Sequence, residues 1–227
     1  LHHARHRQAF GSPLAEQPLM RNVLADLALE SEAALALALR VARAVDAAPH
    51  DPREAAFARA VTAAGKYWLC KRAPAFVNEA QECLGGAGYV EESILPRLYR
   101  QAPLNSIWEG SGNIQCLDVL RALAQEPACL EALRAELDRA APLSPVLARH
   151  AEALLSAFAA RGIDEGSARH AVERLALLLQ AAELLASGSP AAEPFVRSRL
   201  EGGGRLAFGT LPADLDAAVL LERTLPQ

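Results

Sequence analysis

One carboxylate in this chain stands where it could take a proton from a bound molecule. Glu109 follows two bulky apolar residues and precedes three small ones in Ile107-Trp108-Glu109-Gly110-Ser111-Gly112-Asn113. The small residues leave room for a ligand. Apolar walls favour the protonated form of a carboxylate, and a nearby helix N-terminus favours the charged form. A carboxylate poised between the two can serve as a general base, worth roughly 10²–10⁴-fold in rate. Spacing alone equally allows Glu109 to be a simple helix cap. Two other segments could meet phosphate. Arg7-Gln8-Ala9-Phe10-Gly11 offers a guanidinium beside a glycine turn, though arginine also complements a helix C-terminus that glycine ends. Glu82-Cys83-Leu84-Gly85-Gly86-Ala87-Gly88-Tyr89 lets backbone amides approach a pyrophosphate without Cβ obstruction. It is no Rossmann fingerprint, because no strand precedes it. A glycine-rich helix end is its plainer reading.

Helices must position these segments. Of the 227 residues, 52% are hydrophobic and only 5% aromatic. Alanine and leucine dominate, and such side chains lose little freedom in a helix. Leu1 to Phe10 reads as the tail of a helix ended by Gly11 and Pro13. A long helix is expected from Pro13 to Ala48, with Met20, Leu24, Leu27, Leu35 and Leu39 on its buried face. A second runs from Pro52 to Leu84, burying Phe57, Val61, Ala64 and Trp68 and kinked at Pro74. At 1.5 Å per residue both are near 50 Å, roughly the length of a bundle layer. A short helix follows at Ser93 to Arg100. Another starts near Gly110 to Asn113 and carries Ile114, Leu117, Leu120 and Leu123. Further breaks fall at Gln125 to Pro127, Pro142 to Pro145, Gly162 to Gly166, Ser187 to Pro190 and Gly202 to Gly204, with the clearest late helix between Asp164 and Ala186. No stretch alternates as a strand does. The expected fold is all-α: an antiparallel helical bundle over residues 1–125, then a second helical unit over 126–227. The chain lacks an initial Met and begins in mid-pattern, as a piece of a longer protein would.

Charge and cysteines narrow the function classes. The net charge is −4, close to −1 for residues 1–126 and −3 for 127–227. Neither half has the basic balance of a general nucleic-acid binder. Only a local patch such as Arg197, Arg199 and Arg205 could serve one. No apolar run approaches the ~20 residues of a membrane span. Cys70, Cys83, Cys116 and Cys129 lack metal-ligand spacing and read as reduced thiols of a cytoplasmic protein. No metal site is expected; the early histidines, His2, His3 and His6, read as polar residues of a helix end.

Taken in this order, the three segments resemble the C-terminal helical domain of the acyl-CoA dehydrogenase family, most closely its alkylation-response (AidB-like) branch. CLGGAGYVEESILPRLYR followed by YRQAPLNSIWEGSGNIQCLDVLRAL carries the likeness, over about the first 125 residues. The resemblance implies FAD held between this bundle, a β domain and an N-terminal helical domain. It also implies α,β-dehydrogenation of an acyl-CoA thioester. In that family a glutamate takes the α-proton while the β-hydrogen passes to the flavin, and the motif puts that glutamate at Glu109. Ser111 and Asn113 then contact FAD, and Arg7 and Phe10 match an R-x-x-F-G element. Gly85 and Gly86 match a loop that reaches a neighbouring subunit's cofactor, so a homo-oligomer, dimer or dimer of dimers, is implied. Glu109 should sit at the bundle's edge, facing a cleft that another part of the polypeptide would complete, and not remote from both the diglycine bend and Arg7. Three departures stand out. Glu82 and Asn113 occupy positions where the family often has glutamine, and Gln17 lies one residue closer to Gly11 than its usual counterpart. Two other readings remain: a DNA-binding protective protein, as the alkylation-response branch suggests, or a purely structural oligomerisation bundle.

Overall fold

The computed structural model describes residues 1–201 and 216–224. It opens with one helical turn, α1 (His2–His6), and a hairpin of two-residue strands, β1 (Gln8–Ala9) and β2 (Ser12–Pro13). The first helix therefore stops four residues before Phe10, and strand pairing, absent from the sequence expectation, takes its place. Phe10 (φ +53°) and Gly11 (φ +87°) form the hairpin's two-residue turn. Positive φ at both positions marks a type I′ turn, whose twist matches that of paired strands. The Gln17 side chain braces it, donating from Nε2 to the Ala9 carbonyl at 2.8 Å.

Two long helices follow. The first, α2 (Pro18–Ala47), begins five residues later than expected, because Leu14–Glu16 forms a separate 3-10 turn after the hairpin. The second, α3 (Pro52–Leu84), starts where expected: Asp51 accepts from the Arg53 amide at 2.8 Å, and Pro52 takes the first position, where no donor is needed. It continues through Pro74 to Gly85, whose φ of +60° ends it. Then come α4 (Gly86–Tyr89), α5 (Leu95–Gln101), α6 (Gly112–Gln125), α7 (Pro127–Ala140), α8 (Pro145–Ala159), α9 (Ala168–Ala186), α10 (Ala192–Phe195), a wide turn over Val196–Glu201, and α11 (Ala217–Glu222). Asp164 caps a 3-10 turn through the Ser167 amide, so α9 begins four residues beyond it. The break expected at Gly202 to Gly204 and the basic residue Arg205 lie outside the described residues.

The architecture is the all-α bundle the sequence predicts, with α3 at its centre, packed on α2, α6, α7 and α9. One apolar cluster extends from Ala4 to Leu221, so the helices before and after residue 125 share a core. Phe57, Val61 and Ala64 are buried; Trp68 is half-buried and donates from Nε1 to Gln180 at 3.1 Å. The face predicted for α2 holds over only half its length. At 100° per residue Leu35 and Leu39 lie within about 60° of Leu24, yet they are 58% and 60% exposed while Leu24 and Leu27 are buried. The N-terminal half of α2 is buried nearly all round, whereas further along burial narrows to the face of Ala33, Leu37, Arg40 and Ala44.

A buried ion cluster closes the seam between α2, α3, α7 and α9. Arg40, 4% exposed, donates to both oxygens of Glu54 (2.7 and 3.0 Å) and of Glu136 (3.1 and 2.8 Å). Its guanidinium also lies 3.9 Å over the Phe57 ring. Arg139 bridges Glu136 to Glu183. Burial pushes Glu183 up to about 7, helped by its hydrogen bond to Glu136. Burial works against ionising Glu136 too, but the bonds from Arg40 and Glu183 outweigh it and hold that carboxyl well below the usual range.

Candidate cofactor and active site

Glu109 sits on a loop whose backbone is tied down while its side chain is not. Lys66 of α3 donates from Nζ to the carbonyls of Trp108 (2.6 Å) and Gly110. Gln115 of α6 donates from Nε2 to the carbonyls of Glu109 (2.9 Å) and Gly110 (3.2 Å). Between these anchors Glu109 adopts φ +53°, a conformation costing a non-glycine residue about 1–3 kcal/mol. Gly110 follows at φ +100°, and a Cβ there would lie 2.5 Å from Gln115 Nε2. Nothing in the sequence pattern distinguished Lys66 or Gln115, whose roles depend on carbonyls brought in by the fold. The apolar walls expected around Glu109 are absent from this chain: Glu109 is exposed, and Ile107 and Trp108 are 63% and 54% exposed. No ion pair engages the Glu109 carboxylate among the described residues.

The loop delivers the chain into α6. Ser111 occupies the N-cap position, and its hydroxyl makes no capping bond. Gly112 packs flat on α3, where a Cβ would come within 2.9 Å of Lys71 Cε and 3.3 Å of the Tyr67 ring. Asn113 is exposed, and its Oδ1 accepts from Arg169 Nε of α9 at 2.8 Å. Arg169 and Lys71 both act on Cys116 beneath: burial pushes that thiol up to about 11, and the two cations pull it back. The start of α6, a 14-residue helix, thus carries no side-chain cap, and Lys71 and Arg169 lie beside it.

The remaining predicted residues gather elsewhere. Arg7 ends α1 in extended conformation and is exposed. Phe10, at the hairpin tip, is fully exposed. This N-terminal element packs on the end of α3 that carries Cys83, whose thiol feels the Leu1 amino group. Gly85 and Gly86 are exposed at that same end. The next glycine is the one with no room: a Cβ on Gly88 would lie 2.3 Å from the Gln81 carbonyl, and the buried Gln81 side chain donates back to the Gly88 carbonyl at 3.1 Å. Glu82 is turned outward.

Two half-sites result. Nineteen residues of α3 separate Lys66, which anchors the Glu109 loop, from Gly85, roughly 28 Å along the axis. A single cleft joining Glu109 to the diglycine bend and Arg7 is therefore not formed within one chain. Each half-site carries large exposed apolar side chains: Phe10, Tyr89 and Val90 at one end, Ile107, Trp108 and Ile114 at the other. Among the described residues there is no cluster of three metal-ligating side chains, and no helix is long and apolar enough to cross a membrane. Of the thiols, Cys83, Cys116 and Cys129 are buried and Cys70 is half-buried, all free.

Comparison with known proteins places the chain in a family. The family described as acyl-CoA dehydrogenase, C-terminal domain, matches residues 1–124. The Escherichia coli (strain K12) protein AidB is 57% identical over 126 residues, which are 56% of this chain and 23% of AidB. The bovine mitochondrial short-chain specific acyl-CoA dehydrogenase is 37% identical over 117 residues, 52% of this chain and 27% of that protein. The chain thus spans about a quarter of the length of these relatives. Among solved structures, Caenorhabditis elegans ACDH-11 in complex with C11-CoA superposes with a TM-score of 0.74 at 26% identity, over 97% of this chain and 41% of that one. That superposition takes in the helices beyond residue 125 as well. The chain belongs to the acyl-CoA dehydrogenase family, as a C-terminal domain of the AidB-like kind with its further helices attached.

Proposed function

We propose that this chain is the C-terminal part of an FAD-dependent oxidoreductase that introduces an α,β double bond into an acyl-CoA thioester, with Glu109 as the base. One observation carries the reading: Glu109 is held in a strained left-handed conformation by Lys66 and Gln115, while its side chain is left exposed and, among the described residues, without an ion pair. Structure that spends hydrogen bonds on a backbone strain and leaves the side chain free is positioning that side chain for something else. The likeness to ACDH-11, solved with C11-CoA, supports the acyl-CoA class.

The residues present fit a dinucleotide cofactor. Ser111, Asn113 and the uncapped start of α6 receive its anionic part at one half-site. Arg7, Phe10, Gly85 and Gly86 offer a cation, a bare aromatic face and unobstructed backbone at the other. Bound FAD would supply the acceptor for the hydride leaving the β-carbon. Glu109 takes the α-proton, and Lys66 keeps the loop from carrying it away from the substrate. With the half-sites some 28 Å apart along α3, two copies of the chain would be needed to close one site. A homo-oligomer follows, as does weak FAD uptake by one isolated copy. The DNA-binding reading gains no matching support. Arg199 is half-buried and paired with Asp26 and Glu30, and Arg197 lies beside Glu193.

The test is Glu109→Gln in the full-length protein that carries this chain. Acyl-CoA-dependent bleaching of the flavin should slow by at least about 10²-fold with FAD still bound. Bleaching at the normal rate would remove Glu109 from the chemistry.

A further inference from the structure

We infer that the helices after residue 125 take part in cofactor binding, and that Arg169 of α9 is the positioning residue through which they do so. The inference rests on the reading of α6 as an FAD-binding element and adds to it a residue from outside the matched domain, which ends at residue 124.

The argument starts from what an arginine can do. A guanidinium only donates, so the atom of Asn113 that faces Arg169 Nε at 2.8 Å is its carbonyl oxygen. That choice fixes the orientation of the whole amide. The Asn113 NH₂ group must then point away from Arg169, with both of its N–H groups ready to donate. Without Arg169 the amide could turn over and present an acceptor to an anionic ligand, which would repel it. The Nη groups of Arg169 have no protein partner among the described residues. They extend the donor set beside the uncapped start of α6, where Lys71 lies against Gly112.

Length sharpens the point. Asparagine carries its amide one methylene closer to the backbone than glutamine does. Arg169 gives back that reach with a second, charged donor, and charge-assisted hydrogen bonds are roughly twice as strong as neutral ones. The local architecture is specific to this purpose. The Asp164 cap and the 3-10 turn Glu165–Ser167 bring α9 in beside α6, and Arg169 is its second residue. Arg169 is exposed and makes no ion pair among the described residues, so its bond to Asn113 contributes little to folding.

The test measures FAD affinity of the full-length apoprotein by quenching of flavin fluorescence. Arg169→Gln should weaken FAD binding at least tenfold while the urea midpoint of unfolding stays unchanged. Asn113→Ala should weaken it as well, and Asn113→Ala with Arg169→Gln should fall short of the sum of the two losses, because the pair acts as a unit. Asn113→Gln placed on Arg169→Gln should recover at least threefold, since the longer amide replaces the lost reach. Binding within twofold of wild type for Arg169→Gln, or fully additive losses, would overturn the role of Arg169 while leaving the flavin reading intact. A wild-type protein that takes up no FAD would overturn that reading and this inference with it.

Discussion

The seam around Arg40 and the face around Glu109 are built on opposite principles. At the seam every strong charge is answered: Arg40 meets Glu54 and Glu136, and Arg139 meets Glu136 and Glu183. At the Glu109 face the loop's backbone is held, but the carboxylate, Ile107 and Trp108 are open to solvent and the start of α6 is uncapped. A region that satisfies itself is there for folding. One that spends hydrogen bonds on holding strain and leaves its side chains unengaged is complete only with something added.

The largest expected difference between the two regions is in stability. Arg40→Ala strands Glu136 and Glu54 in a buried site and removes the contact with Phe57, so it should cost about 3–5 kcal/mol in urea unfolding. Trp108→Ala removes a half-exposed side chain and should change stability by less than about 0.5 kcal/mol. Similar losses from the two would mean that the Glu109 face is part of the folding core, and the contrast would fail.

The seam should also answer to pH. Glu183 keeps its proton up to about 7 when folded but only to about 4.5 when unfolded. Between those values the folded chain binds more protons, so this contribution is full below pH 4.5 and is lost as pH rises through 7. Glu136 runs the other way. Its folded value lies well below 4.5, so its contribution is full above pH 4.5 and is lost only in strong acid. Unfolding by urea at a series of pH values should therefore show stability declining from pH 4.5 to 7. Glu183→Gln, which cannot ionise, should flatten that decline and exceed the wild type at pH 8. A decline that persists unchanged in Glu183→Gln would place its source elsewhere.

These two regions were not equally legible from the residues. Helix starts marked by proline could be read directly: α3 begins at Pro52, and α8 begins at Pro145, the end of the break placed at Pro142 to Pro145. So could the three segments that carry the family likeness, because glycines and an isolated acid stand out in an alanine–leucine background. The Lys66 and Gln115 anchors could not, since a lysine that caps carbonyls 42 and 44 residues away looks like any solvated lysine. Nor could the separation of Arg7 from Glu109, which follows from the uninterrupted length of α3. Leu35 and Leu39 show the limit of periodicity: it names the face of a helix but not how far a neighbour covers it. The hairpin escaped notice because Phe-Gly is a poor type I′ turn, where Asn-Gly is the usual pair.

That poor turn yields the smallest and most discriminating prediction. Phe10 occupies a left-handed position that asparagine tolerates far better, and its ring is fully exposed, packing on none of the described residues. Folding alone would favour Phe10→Asn, which should raise stability by about 0.5–1 kcal/mol through relief of that strain. If the aromatic ring is there for the cofactor, the same substitution should weaken FAD binding in the full-length protein. Stability would rise as affinity falls, the mark of a residue kept at the expense of the fold. Should Phe10→Asn stabilise the chain and leave FAD affinity untouched, the hairpin tip would have to be struck from the second half-site, and Gly85 and Gly86 with Arg7 would have to carry it alone.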